Sequence, residues 1–185
     1  MLEVNFSPFP TLETERLILR AITLQDAPQV LAMRSDERVM QYFDRPRDTS
    51  IADAEITIQK RIDNLQSNSG INWGITLKND DTLIGDIAFW RIDKEHYRAE
   101  IGYMLHPDFQ GKGIMQEALT KAIDYAFNIL KVHSIEANVN PLNEASIKLL
   151  ERNKFVREAY FRENFYYNGK FLDSAIYSLV TRSIS

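Results

Sequence analysis

A chain of 185 residues with 44% hydrophobic and 11% aromatic residues can bury a substantial core, and its length suits one domain. The formal net charge of -4 and pI near 5.4 argue against a basic nucleic-acid footprint, and the absence of cysteine excludes disulfides, thiolate metal sites and cysteine nucleophiles. His96, His106 and His133 follow no metal-binding spacing, so no metal is expected, and no apolar run approaches the roughly 20 residues of a membrane helix. With acid in place of a basic signal region near the N-terminus, the expectation is a cytoplasmic protein without nucleic-acid or membrane partners.

Residues 1–12 read as an extended arm, because Pro8 and Pro10 flank Phe9 without periodicity. Arg16–Ile22 alternates as a strand. A first helix starts near Asp26, with Ala27-Pro28 in its first turn, and ends before Ser35. Ile56, Ile58, Ile62 and Leu65 place a second helix over Asp53–Gln66. Strands follow at Trp73–Leu77, Leu83–Ile92 and Arg98–Leu105, with Asn79-Asp80-Asp81 as the turn between the first two. Beyond a glycine-containing loop, Met115, Leu119, Ala122, Ile123, Ala126, Phe127 and Leu130 form the apolar stripe of an amphipathic helix. A strand at His133–Val139, a helix at Asn143–Asn153 and a strand at Phe155–Tyr167 come next. Asn168-Gly169 then turns the chain into a last strand, Phe171–Val180. Seven strands in this order imply an α/β (α+β) fold: a mixed, mostly antiparallel sheet with helices on both faces.

The segment Gln110-Gly111-Lys112-Gly113-Ile114-Met115 separates a strand from a helix. Glycines there aim unpaired N–H groups at whatever occupies the helix N-terminus, a position that favours phosphates. A tight turn is the plainer reading of the glycines alone. Two well-known phosphate loops fail by position. The dinucleotide pattern needs glycine at Gln116, and the triphosphate pattern needs glycine at His106 and a hydroxyl at Gly113.

The run Ala99-Glu100-Ile101-Gly102-Tyr103-Met104-Leu105, His106-Pro107-Asp108-Phe109 and Gln110-Gly111-Lys112-Gly113-Ile114-Met115 resembles the acetyl-CoA motif of the GNAT N-acyltransferases. Asn143-Glu144-Ala145-Ser146, leading into Leu149-Leu150-Glu151-Arg152-Asn153-Lys154-Phe155, resembles that superfamily's second CoA segment. Thr14-Glu15-Arg16-Leu17-Ile18-Leu19-Arg20, the Asn143-x-x-Ser146 pair and Tyr167-Asn168-Gly169-Lys170 are similar to the ribosomal-protein N-terminal acetyltransferases of the RimJ/RimL type. The match spans about Thr11 to Val180. Three positions depart from the pattern. Met115 replaces a usual Gly or Ala, Lys154 replaces a usual glycine, and Leu150 stands where many relatives carry a catalytic tyrosine.

The resemblance implies a single acyl-CoA N-acyltransferase domain with acetyl-CoA as acyl donor. The pyrophosphate would sit on the amides of Gly111, Lys112, Gly113, Ile114 and Met115, with Gln116 next in the helix and Gln110 and Lys112 at the rim. The pantetheine arm would pair with backbone of Tyr103, Met104 and Leu105 as an added strand. The same strand's N–H groups would polarise the thioester carbonyl. Asn143 would either hydrogen-bond the arm or simply cap its helix.

An α-amine with pKa near 8 is about a tenth deprotonated at pH 7, whereas a lysine near 10.4 is well under 0.1% deprotonated. Recruiting a proton acceptor is therefore worth about 1 kcal/mol in the first case and over 4 in the second. The departing thiol, with pKa near 8.5, needs only a hydrogen-bond donor. Ser146, one turn after Asn143, is the candidate donor. Glu100 and Glu136 are candidate bases acting through water, and Glu100 ranks first because its strand adjoins the proposed thioester site. The aromatic series Tyr160, Phe161, Phe165, Tyr166, Tyr167, Phe171 and Tyr177 is read as cross-strand packing before a substrate groove. Met40-Gln41-Tyr42-Phe43 is read as a buried loop before an acceptor wall. The acceptor expected is a primary amine such as a peptide N-terminus. A small amine (polyamine, amino acid or antibiotic), a non-catalytic acyl-CoA-binding module and a purely structural protein are the alternatives, and a homodimer is left open.

Overall fold

A computed structural model describes residues 1–181. The strands are β1 (Leu12–Glu13), β2 (Leu17–Ala21), β3 (Ile71–Leu77), β4 (Asp80–Asp93), β5 (Arg98–Leu105), β6 (Ser134–Val139), β7 (Val156–Tyr167) and β8 (Lys170–Val180). The helices are α1 (Ala27–Ser35), α2 (Glu37–Met40), α3 (Ile51–Gln66), α4 (Ile114–Asn128) and α5 (Glu144–Arg152). One sheet runs in the order β1-β2-β3-β4-β5-β6-β8-β7, antiparallel at every pairing except β5 with β6.

The local signals act as their chemistry requires. Ser50 caps α3 by accepting from the Asp53 N–H, while the Asp53 carboxylate accepts from the Ser50 N–H. Asn168 and Gly169 both take positive φ, 48° and 78°, which the β7–β8 turn needs. Helices cover both faces of the sheet. On one, Leu119 of α4 and Leu150 of α5 pack with Trp73, Ile87, Phe89 and Ile135. On the other, Val30 and Met33 of α1 and Ala54 and Ile58 of α3 pack against Ile22, Leu83 and Met104.

Three features depart from the sequence reading. An eighth strand, β1, is too short at two residues to carry a period. The turn between β3 and β4 is tighter than expected, because Leu77 pairs directly with Asp80, so Asp80 and Asp81 belong to the strand. Met40 ends a single helical turn, α2, and is buried with Val39 against α1 and α3.

The β5–β6 pairing is what makes room for a site. It covers only Arg98–Glu100 against Ser134–Glu136. Beyond it β5 continues with β4 to Leu105, and β6 continues with β8 to Val139. Because β5 and β6 are parallel, the gap between them widens toward both carboxyl ends, and the chain enters α4 at its mouth.

Candidate active site

The loop at the mouth is organised from both ends. His106 caps the short turn Pro107–Phe109 through its Nδ1, and the Gln110 Nε2 donates to the Leu105 carbonyl at 3.0 Å, tying loop to strand. Gly111 and Gly113 take φ of 73° and 74°, the left-handed region that side chains disfavour. A β-carbon on Gly111 would meet nothing within 4 Å, so the loop stands open to an approaching ligand. The Glu117 N–H makes the first helical bond, to the Gly113 carbonyl at 3.1 Å, which leaves the N–H groups of Ile114, Met115 and Gln116 without partners among the described residues. Ile114 and Met115 are buried, so the unusual Met115 places its side chain in the core and offers only its amide. The Gln116 side chain is engaged with Asn153, donating at 2.9 Å and accepting at 3.0 Å, which locks the start of α4 to the end of α5. The Lys112 ammonium lies 5.5 Å from the centre of the Phe109 ring.

Ladder parity decides which backbone groups face the gap. The His106 N–H bonds the Ile84 carbonyl directly opposite, so by alternation Met104 and Gly102 bond β4, whereas Ile101, Tyr103 and Leu105 turn N–H and C=O toward β6. Beyond Glu100 no β6 residue pairs with them. Tyr103 thus offers its N–H and C=O to an extended arm, and Leu105 its N–H, its carbonyl being held by Gln110. Met104 does not; its side chain enters the α1/α3 core.

The candidate catalytic residues lie on opposite faces. On the α4/α5 face, the Ser146 hydroxyl is 2.7 Å from the Tyr103 hydroxyl. Burial pushes the Tyr103 phenol up to about 12 against the opposing hydrogen bond from Ser146, so it stays protonated and can donate to Ser146. Asn143 caps α5, its Oδ1 accepting from the Ser146 N–H at 3.1 Å, and the cap leaves its Nδ2 uncommitted. Leu150 is fully buried in the core, so the position that carries a tyrosine in many relatives contributes packing alone.

Glu100 alternates with Met104, which places it on the α1/α3 face at the vertex of the gap. Burial first, then the neighbouring Glu136 charge, pushes its carboxyl above the ordinary range, while Arg91 and Arg98 pull it down. Arg98 engages Glu136 at 3.1 Å, whereas Arg91 reaches Glu100 only at 3.9 Å. Glu100 is therefore the more weakly paired carboxylate. A β-bulge where β4 slips against β5 sets Trp90 beside Gly102, whose β-carbon position is 3.5 Å from the indole, and leaves the ring half exposed.

Tyr160, Phe161, Phe165, Tyr166 and Phe171 stand exposed on the β7–β8 hairpin, while Tyr177 is buried. Tyr166 and Phe171 make the expected cross-strand contact, with ring centres 5.0 Å apart. The packing reading holds for that pair and for Tyr177, not for the whole series.

Residues 16–156 match the family model of the acetyltransferase (GNAT) domain. The chain belongs to the GNAT acetyltransferases. It is 40% identical over 172 residues to N-acetyltransferase YoaA of Bacillus subtilis (strain 168), covering 93% of this chain and 97% of that one. It is 31% identical to the spermidine N(1)-acetyltransferase of Vibrio cholerae, over 85% of this chain and 89% of the relative. Identity to the ribosomal protein uS5-alanine N-acetyltransferase of Escherichia coli (strain K12) is 28%, over 94% and 92%. The solved structure of a GNAT-family acetyltransferase from Bacillus anthracis superposes with a TM-score of 0.83 at 27% identity, covering 92% of this chain and 98% of that one. The GNAT fold and the kinship with RimJ/RimL-type enzymes expected from the motifs are borne out.

This GNAT enzyme is an acetyl-CoA-dependent N-acetyltransferase. Its residues fit the acyl donor: an open left-handed loop, unpaired amides at the start of α4 and unpaired backbone on one side of β5. Among the described residues no group of three or more His, Asp or Glu is placed to hold a metal, and no helix is long and apolar enough to cross a membrane. Three residues carried no signal for these roles in the sequence. They are Trp90, the Tyr103 hydroxyl, and Arg16, which reaches the loop from just ahead of β2.

Proposed function

We propose that this enzyme acetylates the free α-amine of peptide or protein N-termini in the cytoplasm, with the two faces of the sheet dividing the work. The observation that carries the reading is the placement of Ser146 and Glu100 on opposite faces of the β5–β6 gap. Acetyl-CoA supplies a thioester, held along the gap side of β5. The N–H groups of Tyr103 and Leu105 polarise its carbonyl. An amine enters from the α1/α3 face beside Trp90 and gives its proton to water held by Glu100. On the α4/α5 face Ser146 donates a hydrogen bond to the leaving thiolate, and Tyr103 satisfies the Ser146 oxygen.

A carboxylate acting through water is a modest base, which suits an α-amine better than a lysine or polyamine. The relationship to the uS5-alanine enzyme supports the same acceptor class. The adjacent Glu100 and Glu136, together with the spermidine N(1)-acetyltransferase relative, support a polyamine as the second reading. Thiol release with mass spectrometry on peptides with free and blocked N-termini, a blocked lysine peptide and spermidine separates the two. Acetylation of the free-terminus peptides alone is expected. Turnover confined to spermidine, or to lysine in blocked peptides, rejects the α-amine assignment.

A further inference from the structure

One tether of the acyl-donor site comes from outside its motif. Arg16, just ahead of β2, is held to the sheet by its carbonyl, which accepts from the Lys78 N–H at 2.9 Å. Its Nη1 donates to the Lys112 carbonyl inside the loop at 3.0 Å, and its Nε donates to the Glu117 Oε2 at 2.7 Å. The Arg16 backbone N–H donates to the Glu117 Oε1 at 2.8 Å, and the Thr14 hydroxyl donates to the same oxygen. The Nη2 has no hydrogen-bond partner among the described residues and lies 3.5 Å from where a β-carbon on Gly113 would sit.

Glu117 needs such treatment. It lies in the first turn of α4, directly after the three unpaired amides, where a bare carboxylate would compete with a bound pyrophosphate for the positive end of the helix. Burial pushes its carboxyl up, but the hydrogen bonds from Thr14 and Arg16 together hold it below the ordinary range, so it is ionised and its charge must be cancelled. Arg16 cancels it with the same group that fixes the Lys112 carbonyl, turning one guanidinium into both brace and counter-charge.

We propose that Arg16 is a positioning residue for acetyl-CoA: it braces the loop through the Lys112 carbonyl and neutralises Glu117, leaving the N-terminus of α4 positive toward the pyrophosphate. This rests on the assignment of residues 110–115 as the pyrophosphate loop.

Calorimetry with CoA on the full chain, at low and high salt, tests it. Arg16→Ala is expected to weaken CoA about tenfold, the scale of a lost charge-assisted hydrogen bond, while the melting temperature without ligand stays close to the parent's. Arg16→Lys, which keeps the charge but loses the fork, should fall between. Adding Glu117→Gln to Arg16→Ala should recover part of the affinity, and the deficit of Arg16→Ala alone should shrink at high salt. Unchanged CoA affinity in Arg16→Ala, or a double variant as weak as the single one, overturns the proposal. Gly113→Asp in the same assay separates the two layers. If it binds CoA normally, the loop assignment itself fails; if it loses binding while Arg16→Ala does not, only the role of Arg16 is rejected.

Discussion

The two faces of the sheet are built from different materials. The α4/α5 face offers the proposed acyl-donor site backbone: unpaired amides at the start of α4, the gap side of β5, and a packed apolar core behind them. The α1/α3 face is threaded with buried charge. Arg34 pairs with Asp48 at 2.7 Å, and Arg61 of α3 pairs with Asp86 of β4 at 2.9 Å, in both cases with little solvent. Backbone suits the acyl donor, which never changes, because any sequence that keeps the loop conformation supplies it. Side chains suit the acceptor proposed to enter there, whose chemistry differs among relatives named for spermidine and for a ribosomal protein.

The charged face should be the fragile one. Asp86→Ala leaves the Arg61 guanidinium buried without its partner, and unfolding in denaturant should show a loss of about 3–5 kcal/mol. Arg61 Nη1 and Asp86 Oδ2 lack well-aligned hydrogen bonds, so no further bond to those atoms takes up the loss. A variant as stable as the parent would mean that the two faces do not differ in this way. On the backbone face the largest effect should fall on binding. Gly113→Asp puts a side chain at φ 74° and a carboxylate at the helix N-terminus, and CoA affinity should drop about a hundredfold in calorimetry. Ser146→Ala should slow turnover about tenfold to a hundredfold while CoA affinity stays near the parent value, since the role proposed for the hydroxyl, which Tyr103 hydrogen-bonds, is on the leaving group. Equal losses in both quantities would make Ser146 a binding residue.

The same contrast explains what the sequence disclosed. The loop was legible because Gly111, Gly113 and the apolar stripe of α4 lie within one local stretch, and the α5 cap because Asn143 and Ser146 are one turn apart. The gap was not. It depends on β5 and β6 pairing over three residues and then parting, and nothing in either strand's pattern limits how far a parallel pair extends. The pairs Tyr103–Ser146 and Arg16–Glu117 join residues 43 and 101 positions apart, so only the folded chain brings them together. Trp90 reads as one more apolar strand residue until a bulge puts it beside Gly102.

The smallest expected effect is the one that decides whether Glu100 belongs to the chemistry or to the framework. Its carboxyl titrates above the ordinary range because burial and Glu136 disfavour the charge more than Arg91 and Arg98 favour it. The folded state therefore binds this proton more tightly than the unfolded state. Stability attributable to Glu100 is present below the ordinary carboxylate pKa and is lost as pH rises through the raised one. Glu100→Gln has no charge to bury, so denaturant unfolding should find it slightly more stable than the parent at neutral pH, with the advantage vanishing in acid. In kinetics the parent's kcat/KM should climb through that upward-shifted carboxylate titration and again as the amine acceptor deprotonates; the variant should keep only the second limb. A Gln variant less stable than the parent at neutral pH would mean that Arg91 and Arg98 hold the carboxylate as a structural ion pair. The base would then have to be sought elsewhere on the same face.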